Sequence, residues 1–526
     1  MSTTQAPVHS SPSGVRTCPP AWATEPFVHG TPAQFARLRE WLTAMSYTEP
    51  ALCDVAKISR LGELPRLDPS RKAFMNPVDA QSLLVHLFLD ARLVPWSTVQ
   101  AVLSASELSI LTDLGLLQPA IANADICVGT VALFPCEDLF VVSDRLASMQ
   151  TIGAGIPADA VYTPLTAETQ RFVSLMPRVQ CSDYLELCAG TGIAALIAAR
   201  RFAGQAYSAD ITERSTRFAR FNAALNDLPN FTAVEGDLYA PLSGKTFDVI
   251  TAHPPYVPAE STEMVYRDGG VDGEQVTRRV IGGLAEHLNP GGLFYLDCAM
   301  ADRSTEPLEP RMRRMLGPEE DEFDLVVFRN GLIDAKMYQA EQLAAGRMSP
   351  EVFARQKEYF KQVGIQRLVT IQAIIQRRVA KRPVVTRRFS LGAGARAEDL
   401  LWLVRYASAT VEWGADESRR LLDTPLRALP MTELRVRSVL KGGCWIPVTT
   451  TIGTSGPVAA EAPCPAWFPG LLARCDGRAT AREHLVRLRA EGAVAATVSD
   501  NDFAELIREL ADVPLLELND FPLPDR

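Results

Sequence analysis

The stretch from Asp183 to Pro258 constrains this chain more than any other part of its 526 residues. The apolar run Tyr184 to Leu187 breaks at Cys188-Ala189-Gly190-Thr191-Gly192 and resumes as the alanine-rich run Ile193 to Phe202. That order predicts a strand, a tight glycine turn and a helix. Glycines at such a turn adopt backbone angles that a Cβ forbids and let a ligand approach the main chain, while the helix start offers unpaired N–H groups. A ligand with a polar or charged end belongs there. A second apolar run, Ala206 to Ala209, ends in Asp210, whose carboxylate can accept both hydroxyls of a ribose. A third, Phe247 to Ala252, opens directly onto His253-Pro254-Pro255-Tyr256.

The turn by itself admits two readings. Gly190-Thr191-Gly192-Ile193-Ala194-Ala195 satisfies the G-x-G-x-x-G/A pattern of a dinucleotide-binding turn, with an acid at the expected distance, so a nucleotide-dependent oxidoreductase fits. Glu186 points the other way, because a carboxylate just before the turn repels a pyrophosphate and suits a ligand carrying positive charge. The same carboxylate is also placed to cap the following helix.

Taken together, these residues resemble the class I S-adenosylmethionine-dependent methyltransferases, in the small-domain branch with an (Asn/Asp)-Pro-Pro-(Tyr/Phe) loop. Within that branch the segment is similar to protein-glutamine N5-methyltransferases and to ribosomal RNA base methyltransferases. The resemblance spans roughly residues 160 to 300. It places the cofactor at Glu186, Cys188, Gly190, Gly192, Asp210 and Asp237, and the target group at His253, Pro254 and Tyr256, with no metal. Asp268-Gly269-Gly270-Val271-Asp272-Gly273 looks like the G-G-x-D-G segment of the glutamine enzymes, and Asn289-Pro290-Gly291-Gly292 precedes an expected strand Leu293 to Asp297.

One departure matters. The family's first loop residue is Asn or Asp, whose oxygen accepts a hydrogen bond from the target nitrogen together with the carbonyl of the first proline. Here it is His253, and a neutral imidazole accepts only one such bond and titrates near neutrality. The sulfonium already carries an activated methyl group, so few residues are needed: Pro254 would supply a carbonyl, Tyr256 would stack on a planar target, and His253 would take a proton or hydrogen bond from the nucleophile.

A chain this long suits about three domains. With 47% hydrophobic and 22% charged residues it has the composition of an ordinary soluble globular protein. Its net charge of −9 gives no general attraction for nucleic acid or anionic membrane. Ten cysteines without a C-x-x-C pair do not form a disulfide framework or zinc site on spacing. No run of eighteen apolar residues or signal-like leader is present, so a cytoplasmic location is expected, with no membrane partner.

The resulting expectation is an α/β chain: a Rossmann-like doubly wound methyltransferase sheet with flanking α-rich or winged-helix-like N- and C-terminal domains. Residues 1–24 should form a disordered tail and 25–150 a helical, winged-helix-like recognition domain. Helices are expected from Thr31 to Met45, Asp79 to Leu93, Ser97 to Leu103 and Ser106 to Gly115, and a strand pair from Ala124 to Pro135 and Leu139 to Ser143. Residues 151–392 should carry the methyltransferase domain with a helical insertion at 331–365, either a lid or a spacer. Residues 393–526 should close with a second winged-helix-like domain, including an apolar strand Val494 to Val498. The basic segment Arg377 to Arg388 is either a phosphate-binding strip or a solvated strand end. The expected cofactor is S-adenosyl-L-methionine and the expected partner a macromolecular substrate, a translation factor or RNA. A small-molecule methyltransferase and a cofactor-binding protein without transfer activity stand as alternatives, and the oligomeric state is open.

Overall fold

Four apolar runs of the first two hundred and sixty residues become parallel strands: β1 (Cys181–Leu187), β2 (Ala203–Asp210), β3 (Phe231–Glu235) and β4 (Phe247–Ala252), lying in the order β4-β1-β2-β3. The computed structural model describes residues 25–66, 77–120, 123–145, 156–260, 263–346, 348–429, 432–465, 467–512 and 515–518; the tail expected at 1–24 lies outside them. The chain divides into two compact units, the first comprising Met1–Val173, Arg178–Asn289 and Asp334–Gln366, the second Ser174–Pro177, Pro290–Ile333 and Arg367–Arg526.

In the first unit, Tyr184 to Leu187 of β1 are all buried, as a strand covered on both faces requires. Register does the placing. Leu187 is paired with Ala209 on one side and Ala252 on the other, so residues 188, 210 and 253 leave the sheet next to one another. Asp210 is paired with Glu235, which brings Asp237 to the same edge. This is the carboxyl edge of parallel strands, where open α/β sheets hold their ligands.

Helix α1 (Ile193–Arg201) follows β1, and every residue from Ile193 to Ala199 is buried. A helix buried on all sides explains the alanines, whose small side chains let it pack close. Helix α2 (Glu213–Leu225) is capped by Thr212, whose side chain accepts from Ser215 N. Its outer face is covered by the preceding module: Phe218, Phe221 and Leu225 share one core with Phe27, Phe35, Leu38 and Leu42. Asn222 and Asn226, one helical turn apart, bond the strand Leu139–Asp144 as a neighbouring strand would. Asn222 accepts from Val142 N (2.7 Å) and donates to Val142 O (3.1 Å), and Asn226 accepts from Phe140 N (2.8 Å) and donates to Phe140 O (2.7 Å).

That covering module contains helices Pro32–Ala44, Trp96–Val102 and Ala105–Asp113 close to their expected spans. The expected helix Asp79 to Leu93 is a short α-helix, Ala80–Leu84, continuing as a π-turn over Val85–Leu89. The expected strand Ala124 to Pro135 is two strands, Asn123–Gly129 and Val131–Cys136, in different sheets; only the second pairs with Leu139–Asp144. The break falls at Thr130, buried and bonded to Gly115 O, so burial on both sides of the break hid it from an alternation count.

Also in the first unit, helix α3 (Gln275–Gly282) follows the loop after β4, and two helices, α4 (Ala335–Ala344) and α5 (Pro350–Gln362), form the insertion. Asp334 and Ser349 cap them, with Pro350 at the first position of α5.

The second unit has four strands, β5 (Leu288–Arg303, beginning two residues earlier in the first unit), β6 (Phe323–Asp334, its last residue in the first unit), β7 (Ile365–Arg377, its first two residues in the first unit) and β8 (Thr386–Ser390), in the order β8-β6-β7-β5. β8 runs parallel to β6. β5 is longer than expected and takes in Asn289 to Gly292. Three of the six cations of the basic segment Arg377 to Arg388 are ion-paired within the unit: Arg377 with Glu322 at 2.7 Å, Arg382 with Asp324, and Arg388 with Glu309 and Asp302. Further along, Pro425–Ala428 pairs antiparallel with Asp476–Thr480 and Leu516–Leu518 beneath helices Ala481–Ala490 and Asp500–Asp512. Val494 to Val498 is a turn and no strand, a correction to the sequence reading. Among the described residues no helix is long and apolar enough to cross a membrane.

Candidate active site

The carboxyl edge of β1, β2 and β4 opens on a cavity of about 430 Å³ lined entirely by residues of the first unit. Glu186, Cys188, Gly190, Asp210, Asp237 and His253 line it; Gly192, Pro254 and Tyr256 are not among its lining residues, and Pro255 is.

Each of these positions has a local cause. The turn after β1 requires left-handed backbone at three residues, Cys188 (φ 54°), Gly190 (φ 53°) and Gly192 (φ 76°). Gly192 serves packing as well as the turn, because a Cβ there would stand 3.1 Å from Phe231 and 3.2 Å from Ala219. Asp210 braces the turn from the next strand: Oδ2 accepts from Gly190 N (2.9 Å), and Oδ1 from Thr212 N and Oγ1 (both 3.1 Å). Asn222 holds the same turn from α2 by donating to Thr191 O (3.1 Å).

Glu186 fills both roles open to it in the sequence. It lines the cavity and its Oε2 accepts from Ala195 N at 2.8 Å, in the first turn of α1. Burial pushes its carboxyl up to about 8, against the pull of the Ala195 and Ala194 N–H groups and with a further push from Asp210. In the free protein a neutral acid therefore waits at the cavity wall near pH 7. Its raised value makes the free protein's stability from this group complete below its ordinary value near 4.5 and progressively lost as pH climbs through about 8. Glu186→Gln keeps an oxygen for Ala195 N and removes that penalty. In thermal melts from pH 5 to 9, wild type is expected to lose stability relative to the variant as pH rises; parallel curves would contradict the assignment. A cationic ligand against Glu186 favours its ionised form, so affinity should rise toward pH 8 in wild type and stay flat in the variant.

Asp237 meets Arg279 of α3 at 2.7 Å, both side chains about half exposed. The Cys188 thiol is pushed far up by burial, which leaves it inert. His253 stacks on Phe172, with centroids 5.4 Å apart and planes at 29°, and meets Tyr256 edge-on at 5.8 Å. Tyr256 thus supports the histidine from its side. The loop backbone is clamped by the glycine-rich segment: Val257 N donates to Arg267 O (3.0 Å), Gly269 N to Val257 O (2.9 Å) and Ala259 N to Gly270 O (2.8 Å). A Cβ at Gly273 (φ 75°) would fall 2.4 Å from Tyr256 O. Helix α5 grips the same loop downstream, where Gln356 donates to Pro258 O (3.2 Å) and Arg355 pairs with Glu260 at 2.6 Å.

Sequence reasoning missed the upstream wall. Asp159 to Tyr162, Thr169 and Phe172 line the cavity, and only the fold brings them there. Val161 is fixed by Asp144, whose carboxylate accepts Val161 N (2.7 Å) and whose N–H donates to Val161 O (3.1 Å). No motif marks this segment; an aromatic in a short apolar run was the available signal.

Residues 165–318 match the family model described as the methyltransferase small domain. The chain is 35% identical over 124 residues to a Methanocaldococcus jannaschii protein provisionally named a protein N5-glutamine methyltransferase, covering 22% of this chain and 62% of that one. It is 37% identical over 120 residues to the ribosomal protein uL3 glutamine methyltransferase of Bradyrhizobium diazoefficiens (20% and 38%) and 30% identical over 162 residues to the release factor glutamine methyltransferase of Thermodesulfovibrio yellowstonii (28% and 57%). The chain thus spans between 38% and 62% of the length of these curated relatives. Among solved structures, a methyltransferase from Pyrococcus furiosus aligns at 19% identity with a TM-score of 0.28, covering 45% of this chain and 97% of that one.

The cavity suits S-adenosylmethionine by its charge. Four carboxylates, Asp159, Asp210, Asp237 and Asp268, line it beside the acid of Glu186, against the single guanidinium of Arg279. A pyrophosphate would meet repulsion there, and a ligand bearing sulfonium and ammonium charges would not.

Proposed function

We propose that this chain uses S-adenosylmethionine to methylate a nitrogen of a macromolecule, the side-chain amide of a glutamine in a protein of the translation machinery. The observation that carries the reading is the convergence, on one acidic cavity, of Glu186, Asp210 and Asp237 with His253 and Pro255 of the loop after β4. The named relatives supply the acceptor class, since release factors and ribosomal protein uL3 are what their names say they act on.

S-adenosylmethionine, when bound, supplies an activated methyl group, so the chain's task is to hold the partners in line and exclude water. In this reading Asp210 takes the ribose hydroxyls while bracing the turn, and Glu186 faces the cationic part. Asp237 takes the adenine side, with Arg279 as its partner in the free protein. The loop presents the acceptor: His253, held by Phe172 and Tyr256, offers one ring nitrogen to an N–H, and Pro254 its carbonyl. Residues 25–150 and 393–526 would recognise the macromolecule, with residues 151–392 performing the transfer. Helix α5, fastened to the loop at Pro258 and Glu260 and bonded to α4 through Gln339 and Gln356, would hold its shape.

The test is methyl transfer from tritiated S-adenosylmethionine to purified release factor, purified ribosomal protein uL3 and purified ribosomal RNA, each assayed separately. Label on a glutamine of either protein is the expected result. Label in ribosomal RNA alone would move the acceptor to a base, and no transfer to any of these would overturn the reading.

A further inference from the structure

The helical insertion reaches the loop after β4 through a buried chain of amides. Val257 N and Ala259 N turn toward the glycine-rich segment, donating to Arg267 O (3.0 Å) and Gly270 O (2.8 Å), so in an extended chain Pro258 between them faces the other way. A proline has no N–H, which leaves its carbonyl as the one polar backbone group on that side. Gln356 of α5 meets it, with Nε2 donating to Pro258 O at 3.2 Å. A carbonyl only accepts, so Gln356 must present its NH2 there and turn Oε1 away; Gln339 of α4 donates to that oxygen from Nε2, also at 3.2 Å. Gln356 is 5% exposed and Gln339 3%, and a buried amide or carbonyl left without its partner is costly. The neighbouring ion pair of Arg355 with Glu260 is open to solvent and screened, which makes it the weaker tie. From the opposite side the glycine-rich segment presses close on the loop, since a Cβ at Gly269 would fall 2.7 Å from Pro255 O.

Resting on the function proposed above, we propose that Gln356 is a positioning residue for methyl transfer: through Pro258 O it sets where His253 and the Pro254 carbonyl stand, and Gln339 sets Gln356. The stiffness of the loop carries the effect. Prolines at 254, 255 and 258 fix their own φ angles and restrict the residues before them, His253, Pro254 and Val257. Few backbone torsions remain between His253 and Pro258 to absorb a shift at one end. Transfer needs the acceptor nitrogen, the methyl carbon and the sulfur in line, and a misplacement of about 1 Å costs up to about a hundredfold in rate. The insertion is therefore part of the scaffold of the acceptor site, and no mere spacer.

Gln356→Glu tests this with little change of shape. Its carboxylate still accepts from Gln339 and has no hydrogen to give Pro258 O; once protonated, it donates again. Methyl transfer from tritiated S-adenosylmethionine is followed with the full chain on whichever of purified release factor, ribosomal protein uL3 or ribosomal RNA the wild type labels, at a temperature where melts show both proteins folded. At pH 8 the kcat of the variant is expected to lie about tenfold or more below wild type, with KM for S-adenosylmethionine and affinity for S-adenosylhomocysteine unchanged. As pH falls toward 5 the ratio of variant to wild type should climb back toward unity, because burial raises the introduced carboxyl and protonation restores the donor. Taking the ratio removes the titration of His253, which both proteins share. The double variant Gln339→Ala, Gln356→Ala should lose no more activity than Gln356→Ala alone, since both glutamines act through one carbonyl. A kcat within about twofold of wild type at pH 8 overturns the proposal. So does a loss that stays constant from pH 8 to 5, or one carried by cofactor affinity. Should Gln356→Glu fail to fold, Gln356→Met, which keeps the bulk and adds no charge, faces the same criterion on kcat and cofactor affinity. Wild type that labels none of the three acceptors fails the proposed function first and this inference with it.

Discussion

Asp210→Ala is expected to weaken S-adenosylmethionine binding by about a hundredfold or more, the equivalent of roughly 3 kcal/mol. Two losses combine. The carboxylate is the group placed to accept ribose hydroxyls, and it also holds Gly190 N and Thr212 in position. Removing it costs the ligand an acceptor and frees a turn whose left-handed residues need bracing. Asp210→Asn keeps one oxygen for one of those partners and should fall between the two proteins. Equilibrium dialysis with labelled cofactor reads the difference; an alanine variant within threefold of wild type would remove Asp210 from the binding site.

The largest stability effect is expected at Arg214. Its guanidinium bonds both oxygens of Asp144 at 2.8 and 2.5 Å, with side chains 8% and 0% exposed. Arg214→Met strands the Asp144 carboxylate in the interior with Val161 N and Val161's neighbours as its surroundings, a change that costs about 3–5 kcal/mol. The effect should reach the cavity, because Asp144 fixes Val161 and Val161 lines it. Urea denaturation measures the loss. Replacing Asp144 by Leu in the same chain should recover part of it, since much of the cost is the unpaired charge. A loss below about 1 kcal/mol would mean that water or another group reaches Asp144 in the variant.

The strand-turn-helix at Tyr184 to Phe202 and the strand Phe247–Ala252 were legible because they obey local rules: full burial writes an unbroken apolar run, and the turn writes its glycines. The motif residues that leave these strands were legible for the same reason, through their positions at strand ends. The upstream wall was not, because Asp159 to Tyr162 reach the cavity only through the ties of Val161 to Asp144 and of Ala158 O to Val265 N. Long-range bonds of that kind leave no periodicity. Glu186 illustrates a third case: capping and cavity lining looked like alternatives in the sequence, and a carboxylate with two oxygens does both. The basic segment Arg377 to Arg388 read as a phosphate strip or a solvated end, and the fold pairs three of its cations with Glu322, Asp324, Asp302 and Glu309. Partners so distant in sequence, Asp302 lying 86 positions from Arg388, are invisible to a charge count.

The central claim is that the acidic cavity at the ends of β1, β2 and β4 is a site for S-adenosylmethionine. Calorimetric titration of the full chain with S-adenosylmethionine, and separately with NAD, tests it most directly. The account predicts saturable binding of the sulfonium cofactor and none of the dinucleotide; binding of NAD, or of neither, would contradict it.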